Sequence, residues 1–217
     1  MLWEGYDTLV LNCYPNTVLE TGVAVLARYG ALECLKYVHK INERAGVMPW
    51  NNDTATSAVF GGHLAVLKFV LATGAPYDLA LKTTAAANGR LDCLQYLHDR
   101  FNEWEPDATI LAAKHGHLAC LVFAHENGCP WRDELSARLD LRPATTRYAA
   151  EYGHLDCLMY AHEHGCPWHE ATLTRAICEK QRECAIYVAS HGWDWIIHDS
   201  LRAKLQKWIV SEMSKGI

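Results

Sequence analysis

The 217-residue chain has no apolar run approaching the roughly 20 residues that a helix needs to span a bilayer, so a membrane-spanning helix is excluded. It has no basic run either. Its 20 lysines and arginines against 25 acids leave a formal charge of −5, so nucleic acid is not an expected partner. The start "MLWEGYDTLVLNCYPN" lacks a basic opening and a continuous apolar core, so no secretion signal is expected. Gly-x-Ser-x-Gly, Walker, His-Glu-x-x-His and Gly-x-Gly-x-x-Gly motifs are all missing, which removes the commonest frames for hydrolase, nucleotide, metalloprotease and dinucleotide chemistry. Cysteine is plentiful, but nine is an odd number, where secreted disulfide scaffolds pair evenly. Reduced thiols in the cytoplasm or nucleus are the expectation. Half the residues are hydrophobic and 21% are charged, which is the composition of a folded chain rather than a disordered one.

What is present is a repeat. "AAKHGHLACLVFAHENGCPW" (112 to 131) and "AAEYGHLDCLMYAHEHGCPW" (149 to 168) align residue by residue, and four further segments follow the same pattern. Anchored on the first glycine, the registers stand at Gly30, Gly62, Gly89, Gly116, Gly153 and Lys180. The intervals are 32, 27, 27, 37 and 27, so the unit is 27 residues, with five extra in the first interval and ten in the fourth.

Each unit reads as two short helices. The second begins just after the glycine and carries an apolar stripe, as in Leu155, Cys157, Leu158, Tyr160 and Ala161. An acid stands early in it at Glu33, Asp92, Asp156 and Glu183, where the helix dipole favours one. Gly46, Gly74, Gly128, Gly165 and Gly192 are placed to end it in a left-handed cap, and a proline with a large aromatic follows, as in Pro130-Trp131 and Pro167-Trp168. Phe101 occupies the capping position of the third unit, so that turn is expected to differ. The first helix ends in small residues, Ala85-Ala86, Ala112-Ala113 and Ala149-Ala150, which allow close backbone approach. Such a pair cannot bury its apolar faces alone, whereas stacked neighbours can.

The pattern predicts an all-α helical-repeat solenoid of about six helix-turn-helix units over 17–195. Residues 1–16 are expected to form an N-terminal cap or partial repeat, and 196–217 to carry a C-terminal capping helix with Leu201, Leu205, Trp208 and Ile209 on one face. The expected repeat core is Leu32, Cys34, Leu35, Leu64, Leu67, Leu91, Cys93, Leu94, Leu118, Cys120, Leu121, Leu155, Cys157, Leu158, Trp131 and Trp168.

"DATILAAKHGHLACLVFAHENGCPW" (107 to 131) resembles an ankyrin repeat, with Ala112-Ala113, Gly116-His117-Leu118, Leu121 and Gly128 at matching positions. Two differences stand out: the unit is shorter where ankyrin repeats carry a projecting hairpin, and the Thr-Pro-Leu-His opening is absent. In detail it is similar to the short Cys-Pro-Trp repeats encoded by giant viruses of amoebae and some protists. The resemblance implies a non-catalytic adaptor that binds a protein on its concave face, a host protein in the viral case, with no cofactor and no small-molecule substrate. A cytoplasmic monomer is the expected form.

The Cys and His clusters leave alternatives open. Cys120, His125, Cys129 and Cys157, His162, Cys166 repeat a Cys-x4-His-x3-Cys spacing that suits zinc or a reactive thiol. Against this, the cysteine four residues after the glycine recurs in five units and is Val66 in the second, as a small buried apolar site would be. Equivalent residues in stacked helices also lie roughly 8–10 Å apart, too far to share an ion. No metal is therefore expected. A metal- or redox-responsive role around Cys129 and Cys166 is the alternative function, and a self-associating structural solenoid is a third. Trp50, Trp104, Trp131, Trp168 and Trp195 share one position, read as an aromatic closing the core between units.

The positions just before each glycine differ between units while the core agrees. They nominate Arg28, Tyr29, Phe60, Asn88, Lys114, His115, Glu151 and Tyr152 for partner binding, the aromatics as anchors. Asn51, Asn52, Asp53, Asp78, Glu105, Asp133 and Glu170 would form a rim suited to a basic or mixed partner.

Overall fold

The computed structural model describes residues 17–78, 80–105, 107–131, 145–168 and 171–191, together with Lys207 and Ser211. These residues form twelve α-helices and no strand, the helical-repeat architecture that the 27-residue period predicts. The helices come in six pairs, each a first helix followed by a second. They are α1 (Thr17–Arg28) with α2 (Leu32–Ala45), α3 (Asn52–Gly61) with α4 (Leu64–Ala72), and α5 (Ala80–Ala87) with α6 (Leu91–Arg100). Then follow α7 (Asp107–Lys114) with α8 (Leu118–Glu126), α9 (Thr145–Tyr152) with α10 (Leu155–Glu163), and α11 (Thr172–Cys178) with α12 (Arg182–Ser190). The expected N-terminal cap, Trp195, Gly192 and the capping helix lie outside the described residues, save for helical, exposed Lys207 and Ser211.

The chain divides into two compact units: Met1–Ala85 with Asp92–Asn102, and Ala86–Leu91 with Glu103–Ile217. In the first, α1 packs on α3 and α2 on α4, and α1 pairs with α2 and α3 with α4. In the second, α9 packs between α7 and α11, and α10 between α8 and α12. First helices thus meet first helices, and second helices meet second ones. Ala112, Ala113, Ala149 and Ala150 are fully buried at the first-helix contacts, where any larger side chain would push the backbones apart.

Most of the described helix ends are closed by the same device. At the first turn the glycine is left-handed (Gly116 φ +72, Gly153 φ +81), and the next residue's N–H reaches back to the helix, as His117 N to Ala112 O at 2.9 Å. After α8, Gly128 (φ +86) donates to His125 O and Cys129 N donates to Ala124 O at 2.9 Å. Gly165 and Cys166 repeat this at His162 and Ala161. These crossed bonds satisfy carbonyls that a helix end otherwise leaves open. Lys180 takes the glycine's place in the last unit and still adopts φ 59, which is strained for an L-residue. Phe101 is not left-handed, so the third unit's turn does differ.

Leu35, Leu67, Leu94, Leu121 and Leu158 are fully buried, as are Cys93, Cys120, Cys157 and Cys184 to within about a hundredth of their surface. Part of the expected core is corrected. Leu32, Leu64, Leu91, Leu118 and Leu155 open their helices and are only half-buried, because the inward direction of the stripe falls three residues later. Cys34 is half-buried too, in the first repeat, which has a described neighbour on one side only. Trp131 and Trp168 are also half-buried, since each lies along the side of its unit.

Candidate functional site

Histidine supplies two interlocking rows. In the first row, His63, His117 and His154 lie against the register glycine of the preceding repeat. A Cβ on Gly30 would fall 2.6 Å from His63 Nδ1, one on Gly89 2.6 Å from His117 Nδ1, and one on Gly116 2.4 Å from His154 Nδ1. The glycine is therefore required twice, for its left-handed turn and for the ring that fills the space of its missing side chain. In the last unit the Gln181 amide takes the ring's place against Gly153.

The second row runs along the second helices. His125 Nδ1 and the Tyr160 hydroxyl share a hydrogen bond of 3.0 Å, and His162 and Tyr187 repeat it at 3.0 Å. Trp131 stacks on His125 at 4.3 Å between centroids, Trp168 covers His162 at 4.4 Å, and Trp50 stacks on His39 at 5.8 Å. Three indoles also reach one repeat onward. Trp50 Nε1 donates to Thr73 O at 3.2 Å, Trp104 Nε1 to Asn127 O at 2.8 Å and Trp131 Nε1 to His164 O at 3.1 Å. Every acceptor is the carbonyl just beyond a second helix, a group with no partner inside its own helix. The tryptophan ladder is thus a row of staples between neighbouring repeats. Burial, and then the neighbouring His164 and His191, hold His125 and His162 below the usual histidine value.

The thiols serve the same frame. Burial pushes Cys120 up to about 11, Cys184 up to about 11 and Cys157 up to about 12, the last aided by Asp156, so at neutral pH they are protonated and poor nucleophiles. Cys129 and Cys166 are buried at the second-helix caps, with Cys129 Sγ donating to Glu105 O at 3.6 Å. Among the described residues no three His, Cys, Asp or Glu side chains gather as a metal would need. No helix among them is long and apolar enough to cross a membrane.

The residues nominated for binding gather in separate sets. In the first unit, the Arg28 guanidinium lies 4.2 Å from the Phe60 ring centroid, and Tyr29, 77% exposed, is the most exposed large hydrophobic residue among those described. In the second unit, Lys114 Nζ lies 5.3 Å from the ring of Tyr152 and 5.6 Å from that of Tyr148. Glu151 is turned to Arg147 at 3.5 Å, His115 is exposed beside His117, and Asn88 is half-buried. Of the acidic rim, Asn52, Asp53 and Asp78 are exposed, Glu105 is half-buried, and Asp133 and Glu170 lie outside the described residues. Asn51 instead caps α3, its N–H donating to Thr54 Oγ1 and its Oδ1 accepting from that hydroxyl at 2.7 Å.

Three residues escaped the sequence reading. Tyr148 and Arg147 lie one turn before Tyr152 and Glu151. The signal was Tyr148 itself, a large ring where the other units have Val25, Ser57, Thr84, Leu111 and Arg175. Lys82 is 2% exposed at a core position filled elsewhere by Val23, Ala55, Thr109, Thr146 and Leu173. Its ammonium donates to the Phe101 carbonyl, serving the second-helix turn that has Phe101 in place of a capping glycine, and Tyr77 stacks on Phe101 at 4.2 Å.

No protein-family model matches the chain, and no curated protein sequence matches it. Among solved structures it is similar to the human ASB11 ankyrin repeat domain, with 19% identity and a TM-score of 0.62. The match covers 78% of this chain and 83% of that one. At that identity the likeness shows the ankyrin-type repeat fold, and it does not extend to the Cys-Pro-Trp subtype.

Proposed function

We propose that the chain is a non-catalytic interaction module that binds a protein partner through the first-helix ends and the turns after them. The observation carrying this reading is a division of labour along each repeat. The Gly, His, Leu, Cys and Trp positions are spent on contacts between repeats, whereas Tyr29, Phe60, Lys114 and Tyr152 stand outside that frame. Tyr29 and Phe60 in the first unit remain 77% and 42% exposed, and Tyr152 in the second 46%, apolar surface left outside the repeat core. A stacked frame holds such side chains in place before binding, which lowers the ordering cost of association. The resemblance to viral repeat proteins extends this reading to a host protein as partner and the host cytoplasm as its site.

The thiol alternative gains no support from buried cysteines bonded to loop carbonyls. Affinity capture from host-cell cytosol, comparing the wild type with a folded Tyr29→Ala, Phe60→Ala, Tyr152→Ala variant, tests the reading. A partner held by the wild type and lost by the variant supports it; one retained by both places the site elsewhere.

A further inference from the structure

We propose that the α7–α9 edge of the second unit takes an acidic segment of a partner protein, with a side-chain carboxylate seated on Lys114 and an apolar neighbour laid over Tyr152. The inference rests on the interaction-module reading and names the chemistry of one of its sites.

Lys114 is the carrier. Its ammonium lies over two tyrosine rings, 5.3 Å and 5.6 Å from their centroids, and has no carboxylate within ion-pair distance among the described residues. Rings held 6.3 Å apart on one helix face fix where the flexible lysine points, so its charge is preorganised yet uncompensated. Glu151, the residue before Tyr152, is already turned to Arg147 at 3.5 Å, and both side chains are only 17% exposed. That pair neutralises itself, leaving the lysine as the charge on offer.

The surroundings agree in sign. On α11, which packs against α9, Arg175 stands exposed at the register position of Tyr148, and Lys180 follows at the end of the helix. The acids beside these cations are Glu151, paired with Arg147, and exposed Glu179, so Lys114, Arg147, Arg175 and Lys180 outnumber them although the chain as a whole carries −5. Charge complementarity therefore favours an acidic ligand at this edge. A carboxylate fits better than a phosphate, because phosphate recognition draws on arginine forks, and the one arginine beside Lys114 is engaged by Glu151. An aliphatic or aromatic residue flanking the acid would cover Tyr152, which is 46% exposed.

The test pans a displayed library of random 12-residue peptides on the full chain. Anisotropy titrations of a selected peptide and its Asp/Glu→Asn/Gln counterpart then follow, against the wild type, Lys114→Met, and Tyr29→Ala with Phe60→Ala. Selected peptides should be enriched in acids. The amide counterpart should bind the wild type about tenfold more weakly, and Lys114→Met should lose the same factor and no longer distinguish the two peptides. Circular dichroism should show Lys114→Met folded, since the side chain is half-exposed.

Peptides without acidic enrichment, a preference for phosphorylated versions, or discrimination that survives Lys114→Met would each overturn the inference. Peptides lost only in the Tyr29/Phe60 variant would overturn it while leaving the interaction module standing. Peptides indifferent to every variant would sink both.

Discussion

The glycine–histidine interlock can be measured by a double-mutant cycle at Gly89 and His117. Gly89 sits at φ +67, and an added Cβ would fall 2.6 Å from His117 Nδ1 and 2.9 Å from Cγ and Cε1. His117 is in turn bonded to the Ala87 backbone. Gly89→Ala therefore carries two costs. Holding alanine left-handed takes about 1–2 kcal/mol. Displacing the ring from Ala87 takes about 1 kcal/mol more, the usual net value of a hydrogen bond. The single variant should lose about 2–3 kcal/mol. In a His117→Ala background the ring is gone, so the same change should cost only the backbone term. The cycle should then give a coupling of about 1 kcal/mol, within the range for residues in contact. Urea unfolding followed by far-UV circular dichroism measures all four proteins, with unchanged m-values required for the comparison. Strict additivity would refute the interlock, leaving Gly89 as a turn residue only. A cost below about 0.5 kcal/mol for Gly89→Ala would refute the left-handed requirement as well.

Lys180→Gly should stabilise the protein by about 0.5–1 kcal/mol, because relief of the strained φ 59 exceeds the added freedom of the unfolded chain and the exposed side chain gives up little; an unchanged or lower urea midpoint would contradict it. Burial holds His98, His115, His117, His125 and His162 below the ordinary histidine value of 6.5 in the fold. The unfolded chain then binds more protons as pH falls below about 6.5, so the urea midpoint should be lower at pH 5.5 than at pH 7.5, and a higher one would reverse the sign. Native iodoacetamide labelling read by mass spectrometry should modify exposed Cys178 well before buried Cys120, Cys157 and Cys184; labelling of the buried set at the rate of Cys178 would show that burial does not protect them.

The 27-residue period carried most of the fold, because a repeat states the same packing problem six times. Helix starts, left-handed glycines, buried leucines and the odd turn at Phe101 could all be read by comparing one unit with the next. The residues nominated for binding rest on the converse logic, as positions where the units disagree. Three features were decided only in three dimensions. The Cys-His-Cys spacing looks like a ligand set along the chain, but folding turns Cys120 into the core and His125 toward Trp131 and Tyr160, so sequence neighbours face different elements. Lys82 looks like an ordinary surface lysine until the core closes over its stem and leaves the Phe101 carbonyl for its ammonium. Lys114 and Tyr148 stand 34 residues apart on different helices, across the insertion that breaks the period. Local sequence determines which helix a side chain belongs to and which way it leaves it; which ring or carboxylate it meets depends on how closely neighbouring backbones pack, and in the second unit the buried alanines of α7 and α9 allow that approach.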